Sequence, residues 1–195
     1  MPESTLTQIG AYHLADNPAL YEPQRSNNFT FIVTDIDNIL RAGADVNDDN
    51  AYIQNASQTL QFSVDAASIP FFSQEAITIR RGNSVMKAAG LPSFTDGSIT
   101  INDYIGADGK SVLMAWQNLS YNVKTEKVGY MSDYKKTCYL CEYDPNYKLV
   151  RTWKMLGCWI SNLSEDAFSM ESGDKKTITA TIQYDKAFME MPDTI

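Results

Sequence analysis

Apolar and polar residues alternate with a period of two in four segments of the chain, which is the pattern of a strand with one covered face. The four segments are Leu60–Ala66, Ala76–Arg80, Ser98–Asn102 and Thr177–Tyr184. A fifth apolar run, Phe29–Val33, predicts another short strand. These strands predict a sheet that buries one face and leaves the other polar.

A helical period is clear in one place. Four large apolar residues recur there at intervals of four, three and four, which places them on one face of a helix. They are Val112, Trp116, Leu119 and Val123. Asp108 and Ser111 are both candidates for the N-cap residue. We expect this stripe to pack on the apolar face of the sheet.

The connections complete the predicted fold. The glycine-punctuated insertion Arg81–Pro92 is too long for a tight hairpin, so we expect it to project from the sheet. Asp144-Pro145-Asn146 suits a type I turn between two further strands. The chain should therefore be mainly β, an antiparallel barrel or sandwich with one packed helix. We expect residues 1–28 to form an irregular arm, residues 29–195 one domain, and residues 41–57 an exposed acidic loop.

Composition limits the possible functions. The chain has 195 residues with a formal net charge of −8, which allows one core and argues against a protein that grips nucleic acid. No run approaches the roughly 18 apolar residues of a membrane span, and the first ten residues do not resemble a secretion signal. The three cysteines are too few and too irregular for a disulfide framework, so they are expected to pack in the core.

Catalytic and metal-binding patterns are weak. The single histidine, His13, lies in the irregular arm without a recognisable nucleophile. Cys138-x-x-Cys141 lacks the further ligands of a zinc site. Asp45-x-Asn47-x-Asp49 begins like a calcium loop, but Asn50 stands at the glycine position and Ala56 at the glutamate position. We expect no enzyme activity, no metal and no cofactor.

The polar face of the predicted strands is the most informative feature, because it is rich in hydroxyls and amides and almost free of long cations. A threonine-rich face also arises simply because threonine favours strands. The residues on this face are Gln61, Ser63, Asp65, Ala76, Thr78, Arg80, Ser98, Thr100, Asn102, Thr177, Thr179, Thr181 and Gln183.

The order of these elements resembles that of the tail tube proteins of contractile-tailed bacteriophages, which are related to type VI secretion tube proteins. Six stretches within residues 29–188 carry the resemblance, by pattern more than by fixed residues. They are Ile69-Pro-Phe, Ile77–Lys87, Ser98–Asp103, Leu113–Trp116, Trp153–Ile160 and Thr177–Tyr184. The long arm and the acidic loop depart from the family pattern, so the chain could serve the main tube or a tube end.

The resemblance implies a six-subunit ring whose copies close their sheets into one barrel and stack into a tube for genome ejection. Double-stranded DNA would pass without specific binding, and no membrane would be involved. Tail sheath, baseplate, tail-terminator and tape-measure proteins would be partners, in a virion tail assembled in the host cytoplasm. The channel would be lined by Gln61, Ser63, Asp65, Thr78, Ser98, Thr100, Asn102, Thr177, Thr179, Thr181 and Gln183.

Opposite charges suggest where stacked rings meet. The insertion is basic and the loop at 41–57 is acidic, so we expect the two to touch across rings. The residues concerned are Arg80, Arg81 and Lys87 on one side and Asp45, Asp48 and Asp49 on the other.

Two other functions fit the sequence less well. A β-sandwich binding module, such as a receptor-binding or capsid-decorating domain, would use exposed aromatic side chains as its ligand surface. Those would be Tyr130, Tyr134, Tyr139, Tyr143 and Tyr147. A hydrolase would need two facing carboxylates in an apolar setting, which the sequence does not indicate.

Overall fold

An antiparallel seven-stranded sheet organises the computed structural model, which describes residues 22–41, 52–106, 108–171 and 173–190. The strands in these residues are β1 (Phe29–Val33), β2 (Ile39–Leu40), β3 (Tyr52–Ile53), β4 (Val64–Ala67), β5 (Phe72–Arg81), β6 (Ser84–Phe94), β7 (Gly97–Asn102), β8 (Tyr121–Asn122), β9 (Lys127–Val128), β10 (Lys136–Tyr143), β11 (Leu149–Glu165), β12 (Thr177–Gln183) and β13 (Lys186–Glu190). The helices are α1 (Ala56–Ser63), α2 (Gly109–Ser120) and α3 (Met131–Tyr134). The mainly β, antiparallel fold class is confirmed.

The sheet runs in the order β1, β10, β11, β12, β7, β4. Strand β11 is 17 residues long and pairs with three other strands of the sheet. On one side it pairs with β10 as far as Cys158. On its other side it pairs first with β13, at 152–156, and then with β12, at 159–165. Among the described residues, the ribbons β2–β3, β5–β6 and β8–β9 pair only within themselves.

Helix α2 covers the apolar face of the sheet, as the helical period predicts. Val112, Leu113 and Trp116 are completely buried in one cluster with the inward-facing residues of the strands. Asp108 occupies the N-cap position, although its carboxylate pairs with Arg41 instead of capping the helix. Val123 was wrongly predicted to join the stripe, because the helix ends at Ser120 and Val123 is exposed.

The predicted strand Leu60–Ala66 is wrong in its first half, where the chain forms α1 instead. Ala56, Leu60 and Ser63 fall at helical spacing and are buried, whereas Phe62 of the expected apolar face is 72% exposed. Only Val64–Ala67 is extended, as β4. The stretch 41–57 is also not one loop, since it contains β3 and the start of α1; residues 42–51 lie outside the described residues.

The second predicted strand exists but does not join the main sheet. In the part of the chain that the structure describes, β5 pairs with β6 alone. The two strands are joined by a two-residue turn at Gly82-Asn83, in which Gly82 has φ +59°. Glycine adopts this left-handed conformation without the strain that a Cβ causes. The expected long insertion is therefore a tight hairpin. Ile77 and Ile79, predicted to be buried, are about half exposed on it.

Aromatic contacts fix the hairpin to the sheet at its base. The rings of Phe72 and Phe94 lie 5.9 Å apart, and Phe94 also packs edge-on against Tyr184 at 5.8 Å. Phe71 contacts Trp153 of β11 at 6.0 Å. Beyond this base nearly every residue of the hairpin is exposed, so it projects from the sheet as expected.

The predicted turn at Asp144 is confirmed. The Asp144 carboxylate accepts hydrogen bonds from the backbone N–H groups of Asn146 and Lys148, each at 2.8 Å. It thereby closes the loop between β10 and β11. The division of the chain at residue 28 stays a prediction, since residues 1–21 lie outside the described part.

Candidate channel surface

The polar face predicted for the sheet is present on β12 and β7. Along β12 the residues Ile178, Ala180 and Ile182 are buried, and the residues between them point to the opposite face and are half-buried. Strand β7 behaves in the same way, with Ile99 and Ile101 in the core. The polar residues of the two strands are Ser98, Thr100, Asn102, Thr177, Thr179, Thr181 and Gln183.

The strand register places these polar side chains side by side. Thr177 lies opposite Asn102, Thr179 opposite Thr100, and Thr181 opposite Ser98. The hydroxyl oxygens of Thr100 and Thr179 are 3.2 Å apart, so they share a hydrogen bond. Because paired residues on one face lie in contact, the face is a continuous strip of hydroxyls and amides.

The last part of β11 extends the strip with two residues that the sequence did not indicate. Asn162 lies opposite Thr181 and Ser164 lies opposite Thr179, and both are exposed. An irregularity between Ile160 and Asn162 inserts one extra residue, Ser161, and so reverses the alternation along β11.

Three predicted channel residues do not lie on this strip. Gln61 and Ser63 belong to α1, and Ser63 is fully buried, with its hydroxyl donating to the Thr59 carbonyl at 2.7 Å. Thr78 lies on the projecting hairpin, opposite Lys87. The predicted strand is therefore wrong for Gln61 and Ser63, whereas Thr78 does lie in a strand but not in the main sheet. Asp65 is exposed on β4 and borders the strip, because its carboxylate accepts from the Asn102 side-chain amide at 3.2 Å.

One end of the strip carries paired charges. Glu165 accepts from Lys110 at 2.8 Å and from Lys176 at 2.9 Å. These two lysine hydrogen bonds hold the pKa of Glu165 below its ordinary value. Lys175 binds both carboxylate oxygens of Asp65 at 3.1 Å and, with the Asn102 amide, lowers the pKa of Asp65. We call this region, where β7 ends and β12 begins, the charged end.

The Glu165 ion pairs predict an acid-sensitive contribution to stability. Because the pKa of Glu165 is lowered in the folded state from its ordinary value of 4.5, its stabilising effect is fully present above that value and is lost as the pH falls through the folded-state pKa. Glu165→Gln should lower the free energy of unfolding at pH 7 by up to about 1 kcal/mol. In urea denaturation the difference between the two proteins should be present at pH 7 and should shrink as the pH falls through the folded-state pKa of Glu165.

Glu171→Gln is the control, since it removes a carboxylate from the same β11–β12 connection. Its free energy of unfolding should equal that of the parent protein at pH 7 and at acid pH. A destabilisation by Glu165→Gln that stays the same at low pH would contradict the ion-pair explanation.

The strip is bordered by two open strand edges in the described residues. β10 starts opposite Cys158, so residues 159–165 of β11 pair with β12 on one side and with no strand on the other. At the far side of the strip, β4 pairs only with β7. Its outer edge faces a cleft of about 490 Å³, whose opposite wall includes Phe29 and Leu140.

The cysteines are free and buried, as expected of packing residues. Cys138 and Cys158 are fully buried, and desolvation raises the pKa of the Cys138 thiol. Across the described ranges no group of three or more histidine, cysteine, aspartate or glutamate side chains could hold a metal ion. The helices of the described residues include none long and apolar enough to cross a membrane.

The tyrosines expected to form a ligand surface differ in their contacts and exposure. Tyr134 packs against Trp159, with ring centroids 6.0 Å apart, and Tyr139 lies beneath the ammonium group of Lys154. Tyr143 is half-buried, while Tyr130 and Tyr147 are exposed.

Comparisons with known proteins agree on the fold. No family model matches the chain, and no curated protein matches it in sequence. A chain of the PVC sheath–tube complex of an extracellular contractile injection system is 18% identical, with a TM-score of 0.62 over 97% of this chain and 99% of that one. The tube-terminating cap of the anti-feeding prophage is 12% identical, with a TM-score of 0.61 over 87% and 92%.

A third solved structure leads to the same conclusion. The sheath/tube terminator of the PVC system is 18% identical, with a TM-score of 0.60 over 87% of this chain and 97% of that one. At these identities the similarity is one of fold. The tail-tube resemblance expected from the sequence is thereby confirmed: this chain has the fold of tube proteins of contractile injection systems.

Proposed function

We propose that this chain is a structural subunit of a tail-type tube, in which copies join into rings, the rings stack, and the polar strip lines the central channel. The observation that carries the proposal is the continuous strip on β11, β12 and β7. The exposed face of these strands is polar, and their opposite face is apolar and packs against α2. Both outer strand edges of the strip are open in the described residues.

The chemistry of the strip suits a surface along which a polyanion slides. Its hydroxyl and amide side chains hydrogen-bond water and provide no fixed cation for a phosphate. Lys110 and Lys176 at the charged end are already bound to Glu165, and Lys175 is bound to Asp65. Together with the net charge of −8, this favours passage of double-stranded DNA without specific binding.

The open edges suggest how a ring closes. An unpaired edge invites another strand, and pairing residues 159–165 of one copy with β4 of the next would remove both edges. Each subunit would then contribute β4, β7, β12 and the end of β11 to a common barrel. We propose six subunits per ring, as in the tail-tube proteins that the sequence resembles.

The remaining assignments follow from this role. The chain is proposed to have no enzymatic activity and to work in a virion tail assembled in the host cytoplasm. Sheath, baseplate, tail-terminator and tape-measure proteins are its proposed partners. Support comes from the solved structures of similar fold, which are a sheath–tube complex, a tube-terminating cap, a sheath/tube terminator and a baseplate.

The hairpin provides the proposed contact between rings. Arg80, Arg81 and Lys87 lie near its tip and are exposed. Their proposed acidic partners, Asp45, Asp48 and Asp49, lie outside the described residues.

Cysteine labelling can test whether the strip lines a channel, because the native cysteines are buried and give little background. Thr179→Cys places a thiol in the middle of the strip, and Val123→Cys places one on the exposed residue after α2. In assembled material, a small maleimide should label both positions. A large polymer-linked maleimide should label only Cys at position 123, since the channel excludes it.

Two results would overturn the proposal. One is equal labelling of Thr179→Cys by the large reagent before and after assembly. The other is a protein that remains a single subunit at every concentration in sedimentation velocity and in negative-stain micrographs.

A further inference from the structure

The polar strip has two different ends. At the charged end, β7 leads into residues 103–106 and β11 leads into residues 166–171. At the opposite end, β4 leads into the β5–β6 hairpin and β6 returns to β7. In any ring that turns the strip inward, these two ends face along the channel axis in opposite directions.

The charged end presents a cluster of large exposed apolar side chains, which we call the apolar rim. The exposed fractions are 49% for Tyr104, 108% for Ile105, 89% for Phe168 and 107% for Met170. Single exposed apolar residues are ordinary, but a group of four on adjacent connections is typical of an interaction site.

One backbone hydrogen bond joins the two sides of the rim, and further contacts order the side that follows β11. The backbone N–H of Asp103 donates to the Lys176 carbonyl at 3.0 Å. The Lys176 ammonium lies 3.9 Å from the centre of the Phe168 ring and binds Glu165. The Asp166 carboxylate accepts from the Thr177 hydroxyl at 2.6 Å and from the Thr177 N–H at 3.0 Å, which lowers the pKa of Asp166.

The rim and the hairpin have opposite charges. Residues 103–106 and 166–171 contain three acids and no lysine or arginine, a charge of −3. Residues 72–94 contain one acid and three basic residues, a charge of +2. Lys175 and Lys176, which follow the rim, are bound to Asp65 and Glu165.

The hairpin also has an apolar face that is exposed in the described structure. Ile79 pairs with Met86 and Ile77 pairs with Ala88, which puts these four side chains on one face of the ribbon. Ile77, Ile79 and Met86 are all about half exposed. A two-stranded hairpin is marginally stable in water without a packing partner, so a contact on this face would stabilise it.

We infer that the β5–β6 hairpin of one copy binds the apolar rim of a second copy. The apolar face of the hairpin, which Arg81 shares in the register of the two strands, would meet the apolar and acidic side chains of the rim. Because the two surfaces differ and lie at opposite ends of the strip, the contact is heterologous and repeats indefinitely along one axis. The inference rests on the proposed function, since it assigns the surfaces through which rings stack.

A mixing experiment tests the inference. The rim variant Ile105→Ser/Phe168→Ser keeps an intact hairpin, and the hairpin variant Ile79→Ser/Met86→Ser keeps an intact rim. Neither should elongate alone. Mixed in equal amounts after purification, they should form a species of twice the mass in sedimentation velocity, and nothing longer, because only one intact contact is possible.

The controls separate folding and ring formation from stacking. All four substituted residues are exposed, so both variants should melt within a few degrees of the parent protein by circular dichroism. Tyr147→Ser removes an exposed aromatic from the opposite end of β11 and should leave elongation unchanged. Doubling of a single subunit instead of a ring would refute the ring proposal while supporting this contact.

Three outcomes would overturn the inference. The first is elongation of the rim variant at the parent's rate. The second is the absence of a doubled species in the mixture. The third is loss of elongation in Asp45→Asn/Asp48→Asn/Asp49→Asn together with normal elongation of the rim variant, which would assign these three acids as the partner of the hairpin.

Discussion

Trp116→Ala is expected to lower the free energy of unfolding by about 3–5 kcal/mol and the melting temperature by about 6–20 °C. Trp116 is the largest of the fully buried side chains and lies where α2 packs on the sheet. Its indole N–H also donates to the Tyr134 carbonyl at 2.9 Å, which ties α2 to α3. The substitution therefore opens a cavity and leaves a carbonyl without its partner. Urea denaturation followed by far-ultraviolet circular dichroism measures the loss.

Two further variants divide this effect into its causes. Trp116→Phe keeps most of the ring but leaves the Tyr134 carbonyl unpaired, so part of the loss should remain, about 1–3 kcal/mol. Met114→Ala removes a side chain that is 40% exposed on the same helix and should cost less than about 1 kcal/mol. Equal losses for Trp116→Ala and Met114→Ala would show that α2 does not contribute to the core as described.

The polar strip could be predicted from the sequence because strict alternation determines which face of a strand is buried. In Thr177–Gln183 every second residue is small or aliphatic and enters the core, and Ser98–Asn102 repeats the pattern. The pairing of the two strands could not be predicted, since it depends on the long connection between them. The structure pairs them directly and so joins two short polar patterns into one surface.

Short patterns misled the interpretation where two periods fit the same residues. Leu60, Phe62 and Val64 alternate as in a strand, but Ala56, Leu60 and Ser63 also follow a helical period. The helix forms because it buries Leu60 against α2 and β7, and it leaves Phe62 in solvent. Over seven residues hydrophobic periodicity cannot distinguish these outcomes.

The β5–β6 hairpin shows a second limit of prediction from the sequence, which concerns strand pairing. Ala76–Arg80 does form a strand, but its alternating pattern does not reveal which strand pairs with it. The nearby Gly82-Asn83 pair is a turn signal that we placed inside a longer insertion. The positions of Asn162 and Ser164 on the polar strip could not be predicted either. One inserted residue, Ser161, reverses the alternation of β11, and the sequence pattern does not reveal it.

Reversing the charge of the hairpin should abolish stacking while leaving the subunit folded. Arg81→Glu/Lys87→Glu changes the charge of residues 72–94 from +2 to −2 and places it opposite acidic side chains. Like-charge contacts at an interface cost several kcal/mol, and each 1.4 kcal/mol is a tenfold change in affinity, so elongated material should fall at least about tenfold. Both residues are exposed, and the melting temperature should change little. Pelleting and negative-stain microscopy measure the loss.

A compensating variant shows which acidic surface the hairpin meets. If the hairpin binds the rim, adding Asp103→Lys and Glu171→Lys to the reversed chain restores opposite charges and should restore elongation. If the hairpin instead binds Asp45, Asp48 and Asp49, only substitution of those three residues by lysine should restore elongation. Arg81→Gln/Lys87→Gln is the matched neutral control and should elongate to an intermediate extent, with less salt dependence than the parent protein. Normal tubes from the reversed chain would exclude a charged contact at the hairpin with either surface.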